Sequence, residues 1–128
     1  MNGLLEGALV ARDAGGLTEQ DIREALSAAL SPALPRLNRV LLVPPDATRA
    51  HSGAGAITQA LYGMLSPGCR VDILPALGTH LPMSQPQWQA LFGDIPHHAM
   101  LVHSWRQDLV TLGEVPGEVM ARLSDGRM

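Results

Sequence analysis

The most unusual feature of this sequence is an absence. Its 128 residues include no lysine, so all 9 basic residues are arginines. A lysine nucleophile, a Schiff-base lysine and the lysine of a phosphate-binding loop are therefore excluded within the chain. Cysteine is almost absent as well, because Cys69 stands alone. A single thiol excludes an internal disulfide framework and a multi-thiolate metal site, which favours a reducing, cytoplasmic location.

Positive charge and long apolar runs are also scarce. The net charge of −3 at pH 7 gives no basic footprint for nucleic acid, and no basic amphipathic face indicates membrane binding. No window approaches the ~18 apolar residues of a membrane span, and the N-terminus lacks the pattern of a signal peptide. We therefore expect neither nucleic acid nor membrane as a partner. The length and the 46% hydrophobic content predict one globular domain.

The first clear secondary-structure signal is a helix start at Thr18. A threonine there can cap the free backbone N–H groups, and Glu19 and Asp21 would lie favourably in the first turn. The prolines at positions 32 and 35 predict the end of this helix. Residues 1–16 are rich in glycine and alanine and are poorly specified, so the domain is predicted to span residues 17–128.

From Arg39 onwards, short apolar runs alternate with segments of helical periodicity. The runs predict buried strands at 40–43, 71–77 and 99–102, with a weaker strand at 109–112. Helices are predicted at 55–65, at 84–92 and, more briefly, at 119–123. Strand and helix alternating about every thirty residues form the βαβ pattern, which implies parallel strands and right-handed crossovers. The predicted class is α/β: a Rossmann-like three-layer sandwich with a mainly parallel sheet, or part of one.

Polar residues collect directly after each of the three main predicted strands. The clusters lie at 44–53, at Gly78-Thr79-His80 and at 103–108. In open parallel sheets, ligands bind beyond the carboxyl ends of the strands, so the three clusters are expected to meet at one edge. A site at this edge is the strongest functional prediction that the residues alone support.

Each cluster also has a purely structural interpretation. In this interpretation Asp46 and Thr48 are turn and cap residues after Pro45, and for Thr48 it is as favoured as a functional role. Arg49 near a helix start is unfavourable for the helix dipole and is better explained by an anionic ligand. His80 is either a structural histidine bonded to backbone or a general acid/base at the end of a strand. His103 and Trp105 favour a structural role, with the indole covering the sheet edge.

Three further signals are weak. Gly53-Ala54-Gly55 resembles part of a dinucleotide-binding motif but lacks its third glycine and stands well past the strand. His97 and His98, even with His103, lack the spacing of a metal site, so no metal ligand is predicted. Cys69 is expected at the opposite end of the sheet, where a nucleophilic role is not favoured.

Two of the polar clusters resemble the N-terminal domain of the nickel-pincer lactate racemase family. The stretch VLLVPPDATR (40–49) ends in that family's Asp-x-Thr-Arg motif, and DILPALGTHLPMS (72–84) contains its Ala-Leu-Gly-Thr-His segment. A third stretch, VHSWRQDLVTLGEVP (102–116), fits another family segment, with Ser104 where an aspartate commonly stands. The resemblance runs from about Leu17 to the C-terminus.

The resemblance implies an isomerase that interconverts the enantiomers of a 2-hydroxy acid by hydride transfer to a nickel-pincer nucleotide. It implies that His80 is a catalytic acid/base. It also implies that Asp46, Ala47, Thr48 and Arg49 contact the cofactor and that Arg49 pairs with the substrate carboxylate. Family members are much longer, and their cofactor-tethering lysine and nickel-binding histidine lie beyond the point where this chain stops. We therefore expect a fragment of a longer enzyme, or a short relative that has lost catalysis, and no activity from the chain alone.

Two other functions stay open at this stage. One is a non-catalytic nucleotide-binding or anion-binding module that uses Arg49 and the following helix N-terminus. The other is a scaffold or oligomerisation module whose polar clusters are only turn residues. Strands missing from the sheet would leave an exposed edge and favour a homo-oligomer, as an alternative to a missing C-terminal region. The identity of the hydroxy acid is not predicted.

Overall fold

A computed structural model of the protein describes residues 14–127. The main elements are α1 (Glu19–Leu30), β1 (Arg39–Leu42), α2 (Ala54–Leu65), β2 (Arg70–Ile73), α3 (Gln85–Phe92) and α4 (Gly117–Leu123). Short 3-10 turns connect them at Leu34–Arg36, Ala47–Ser52 and His97–Ala99. Most of the segment predicted to be poorly specified, residues 1–13, lies outside the described residues. Within residues 14–127, no helix is long and apolar enough to cross a membrane.

The helix starts confirm the capping signals in the sequence. The Thr18 hydroxyl accepts a hydrogen bond from the backbone of Asp21, whose carboxylate in turn accepts one from the Thr18 backbone. Ser84 and Gln87 form the same reciprocal arrangement at the start of α3, which ends at Gly93 with a φ of +60°. Both arrangements satisfy backbone N–H groups that a helix leaves unpaired at its N-terminus.

The parallel pairing of the first two predicted strands is confirmed. β1 and β2 lie side by side, with Leu42 opposite Ile73. The pairing continues past both strands, because Leu74 and Ala76 donate to the carbonyls of Leu42 and Pro44 at 2.9 and 2.8 Å. The segments that follow β1 and β2 therefore begin next to each other.

The other two predicted strands do not form in the described chain. The 99–102 run makes one isolated parallel bridge, between Met100 and Ile73, and Leu101 donates to the Ile73 carbonyl at 2.7 Å. This run thus lies beside β2 as expected, but without a ladder. The prediction of a strand at 109–112 is wrong, because these residues form no strand and Val110 and Leu112 are 80% and 99% exposed. An apolar run forms a strand only where a neighbouring strand and a covering layer are available.

The core lies between the sheet and the helices on one of its faces. Trp88 and Phe92 of α3 meet edge to face at 4.7 Å, and the Trp88 indole donates to the Ile95 carbonyl at 2.7 Å. α2 packs against α3, and α1 packs outside α2. The buried cluster consists of Ile73, Leu77, Met83, Trp88, Leu91, Phe92, Ile95 and Ala99.

The opposite face of the sheet has no such cover within the described residues. Leu42 packs against the core, so its neighbours Leu41 and Val43 point the other way. These two side chains are 50% and 58% exposed. The described residues therefore form a mixed α/β fold with a two-stranded parallel sheet and helices on one face. The three-layer Rossmann-like arrangement stays a prediction.

The glycines of the 53–55 segment have structural roles. Gly53 has a φ of +74°, a left-handed conformation that lets the chain turn into α2. At Gly55, an added Cβ would lie 2.4 Å from the Leu91 carbonyl oxygen, so glycine is required for the close approach of α2 to α3. The turn requires Gly53 and the close helix contact requires Gly55, so neither glycine needs a bound nucleotide to explain it.

Candidate functional site

The candidate site lies where the chain leaves the paired strands. Asp46, just past β1, begins the turn Ala47–Ser52. Its Oδ1 accepts hydrogen bonds from the Thr48 backbone N–H at 3.1 Å and from the Thr48 hydroxyl at 2.5 Å. Asp46 is only 6% exposed. Two donors from one neighbour therefore hold this carboxylate in a single orientation.

His80 reaches the same place from β2 through a tight turn. Leu77, which is 3% exposed, anchors the start of the turn in the core. Gly78 has a φ of +59°, and the His80 N–H donates to the Leu77 carbonyl at 3.0 Å, which closes the turn. Glycine at position 78 allows the reversal that directs the imidazole away from the strand.

These two turns bring Asp46 and His80 into direct contact. The Nδ1 of His80 lies 2.7 Å from the second carboxylate oxygen of Asp46. Hydrogen bonds from the Thr48 side chain and then from His80 keep the pKa of Asp46 below its ordinary value, since both favour the ionised carboxylate. An ionised carboxylate only accepts, so Nδ1 carries the proton in this pair.

The pairing determines what His80 can do chemically. With Nδ1–H donated to Asp46, the neutral imidazole presents Nε2 as an acceptor. The His80 side chain is 56% exposed, whereas that of Asp46 is 8% exposed. A buried carboxylate that orients a solvent-facing imidazole is the arrangement of a general base, because the carboxylate also stabilises the imidazolium that forms.

The third polar cluster forms a groove together with the turn that carries His80. A groove of about 180 Å³ is lined by Thr79–Pro82 and Val102–Gln107. Within it, the Arg106 guanidinium carbon lies 4.0 Å from the centre of the Trp105 ring. His80 contacts Asp46 directly and shares the groove with residues 102–107.

The remaining predicted site residues occupy the turn after β1. Thr48 bonds to Asp46, as a turn residue does, and Ala47 packs against the core cluster. Arg49 is exposed, and its guanidinium forms no ion pair with any residue of 14–127. The proposed roles of Asp46, Ala47, Thr48 and Arg49 toward a cofactor stay predictions. None of the four lines the groove beside His80.

The Asp46–His80 pair was not predicted from the sequence, although both residues were candidate site residues. The signal was present: each stands a few residues past a strand, and the two strands are parallel neighbours. With this pairing, the hydrogen bonds of the Asp46 carboxylate are accounted for by residues of the chain itself. Both carboxylate oxygens have partners, Oδ1 in Thr48 and Oδ2 in His80.

The described residues do not supply a complete site for a metal-containing cofactor. Within residues 14–127, no group of three or more histidine, cysteine, aspartate or glutamate side chains is placed to hold a metal ion. No lysine is present to form a covalent tether. Cys69 lies before β2, with its thiol donating to the Leu65 carbonyl at 3.3 Å, far along the sheet from His80. This donor set does not fit the nickel-binding and tethering parts of a pincer nucleotide.

Comparisons with known proteins support the fold. No protein-family model matches the chain, and no curated protein shows a significant match. A crystal structure of a protein from Thermotoga maritima matches 93% of the chain with a TM-score of 0.70 and 25% sequence identity. The chain spans only 29% of that protein. This likeness shows that the α/β fold occurs in a solved structure, within a longer polypeptide.

Proposed function

We propose that this chain is the N-terminal α/β domain of a lactate racemase-like isomerase that interconverts enantiomers of a 2-hydroxy acid with a nickel-pincer nucleotide. The observation that carries the proposal is the 2.7 Å contact between His80 and Asp46. It joins the two sequence motifs that resemble that family, and it forms an oriented acid/base group.

In this proposal, His80 moves the proton of the substrate hydroxyl. Its Nε2 accepts the proton as the hydroxyl carbon is oxidised and returns it when the carbon is reduced again. Asp46 keeps the imidazole in the correct tautomer and balances the positive charge that forms on it. A bound pincer nucleotide would supply the hydride-transfer chemistry, and the residues of this chain would position and protonate the substrate.

The nickel ligand and the tether are assigned to polypeptide outside this chain. The chain itself has no lysine, and the matched Thermotoga maritima protein is more than three times as long as the part that this chain spans. We therefore propose that the 128-residue chain alone does not racemise hydroxy acids. The rest of the catalytic apparatus would come from a longer polypeptide or from a partner.

The decisive test is His80→Ala in an intact enzyme that contains this domain. Turnover should fall by ~10²-fold or more, because a positioned general acid/base contributes about that much. Binding of the cofactor, measured by its absorbance after gel filtration, should be nearly unchanged. His98→Ala is the matched control, since His98 is exposed in the His97–Ala99 turn and does not line the groove.

Two results would contradict the role of His80. One is wild-type turnover in His80→Ala. The other is loss of the folded far-ultraviolet circular dichroism spectrum in that variant, which would identify His80 as a structural residue. Normal folding together with lost turnover is the result that the proposal requires.

A titration of the chain separates the proposal from the non-catalytic alternatives. Selective binding of the pincer nucleotide supports the isomerase, whereas equal binding of ordinary nucleotides supports an anion-binding module. Binding of neither supports a scaffold.

A further inference from the structure

An apolar stretch just before α4 has no cover in the described chain. Residues 109–115, which we call the arm, are all exposed. Leu109, Val110 and Leu112 are 73%, 80% and 99% exposed. No residue of the arm forms a hydrogen bond with another residue of 14–127. Backbone N–H and C=O groups without partners in their own chain are free to pair with another one.

The sheet has an open edge at β1. The 99–102 run lies beside β2 on the side away from β1, so β1 has a single neighbour among the described residues. The carbonyls of Leu42 and Pro44 face β2, where they accept backbone hydrogen bonds. Successive residues of a strand direct their backbone groups to opposite edges, so those of Leu41 and Val43 face outward. Such an edge is a template for another strand.

The uncovered face of the sheet next to this edge is apolar. The register of β1 and β2 continues to place Val43 opposite Leu74, and the bridge between Ile73 and Met100 places Leu74 opposite Leu101. These residues form a row across the uncovered face, in which Val43 and Leu101 are 58% and 39% exposed. A strand added at the edge of β1 would direct every second side chain to this face and extend the apolar row.

The arm and the open edge also match in charge. Asp108 and Glu114 flank the apolar residues of the arm. Arg39 begins β1 and is 71% exposed, and Arg70 beside it is 63% exposed. Their shared partner Asp72 balances one of the two positive charges. An arm strand of either direction would therefore bring an acidic residue toward these arginines, which favours strand pairing.

We propose that two copies of this chain associate, with the arm of each copy adding as a strand to the β1 edge of the other. The exchange is reciprocal, so a two-fold dimer buries both surfaces twice. The lengths agree, because the apolar run 109–112 has the four residues of Arg39–Leu42. Backbone pairing supplies the attachment and the apolar side chains supply the specificity, as in other cases of strand addition. Neither surface includes His80 or Asp46, so the association is independent of the proposed function.

Sedimentation equilibrium of the 128-residue chain tests the association. One chain has a mass of 13.6 kDa. The measured mass should rise toward about twice that value as the concentration increases from about 1 to about 100 μM, as mass action requires of a reversible dimer. A chain that stays monomeric throughout this range would overturn the proposal.

Three variants test the two surfaces. Leu112→Asp in the arm and Val43→Asp at the edge should each weaken the dimer by about 10-fold or more, because each would bury an unpaired carboxylate. Leu112 is 99% exposed within the chain, so its substitution leaves the folded monomer intact. Leu81→Asp is the matched control: Leu81 is 86% exposed and lies outside both surfaces, so the dissociation constant should stay within about 2-fold. Far-ultraviolet circular dichroism checks the fold of each variant.

The variants also distinguish other ways of covering the sheet. A dimer that survives Leu112→Asp but not Val43→Asp would mean that the sheets pack together without the arms, which contradicts the exchange. Equal weakening by Leu81→Asp would show nonspecific association and would contradict it as well. A monomeric chain would leave both surfaces to other parts of a longer polypeptide, such as the one in which the fold occurs in Thermotoga maritima.

Discussion

Asp46 and Asp72 are the two buried aspartates among the described residues, with 6% and 9% of their surface exposed. Their partners differ. Asp72, within β2, accepts from Arg39 at 3.5 Å and from Arg70 at 3.0 Å. Arginine keeps its charge at any ordinary pH. Asp46, past the end of β1, accepts from Thr48 and from a histidine, the side chain type suited to proton transfer near neutrality.

The comparison shows that a buried carboxylate is not in itself a functional signal. Asp72 lies on the uncovered face of the sheet, where the arginines neutralise it and Arg39 connects β1 to β2. Asp46 connects two turns and leaves the Nε2 of its histidine without a partner in residues 14–127. The chemistry of the partner and its place at the carboxyl ends of the strands distinguish the two.

The largest expected difference between the two aspartates is in catalysis. In an intact enzyme, Asp46→Asn should lower turnover by ~10²-fold or more, because an amide does not stabilise an imidazolium and can donate to Nδ1, which reverses the tautomer. Asp72→Asn should leave turnover within about 2-fold, since Asp72 lies in the strand and not at the site. Steady-state kinetics of both variants measures this difference. Equal losses of turnover would show that Asp46 only supports the fold.

The next difference concerns the pH dependence of stability. The pKa of Asp46 is lowered by Thr48 and His80, so its contribution to folding is fully present above the ordinary carboxyl range and is lost as pH falls through the lowered value. At about pH 6, Asp46→Asn should reduce the free energy of unfolding by about 1–2 kcal/mol, the scale of a charge-assisted hydrogen bond. Urea denaturation should show this difference shrinking as the pH falls below about 4, the ordinary carboxyl range. A difference that stays constant over that range would contradict the assignment.

The smallest expected effect is the loss of stability when the ion pairs of Asp72 are removed. The side chains of Arg39 and Arg70 are 71% and 63% exposed, so solvent screens both pairs. Asp72→Asn should cost less than about 1 kcal/mol of unfolding free energy, and most of that cost should disappear at about 1 M salt. Urea denaturation at low and high salt measures it. A larger, salt-independent loss would mean that Asp72 supports the sheet by packing or hydrogen bonding.

The sequence predicted the local structure well where the signals are local. The cap at Thr18 and the helix predicted from residue 84 are confirmed, because both depend on residues within one helical turn. The 40–43 run is confirmed as a strand because its parallel neighbour is present in the same chain. The run at 109–112 has similar apolar character, yet it stays exposed because no strand lies beside it in the described residues.

For the site, the sequence by itself determined which residue types follow each strand and that parallel strands would carry them to one edge. Only the tertiary structure decided that His80 bonds to Asp46, 34 residues away, and that residues 102–107 share a groove with His80. The physical reason is the range of the interactions. Caps and turns depend on neighbours along the chain, whereas a contact between two turns depends on strand register, on the φ of Gly78 and on the length of each turn.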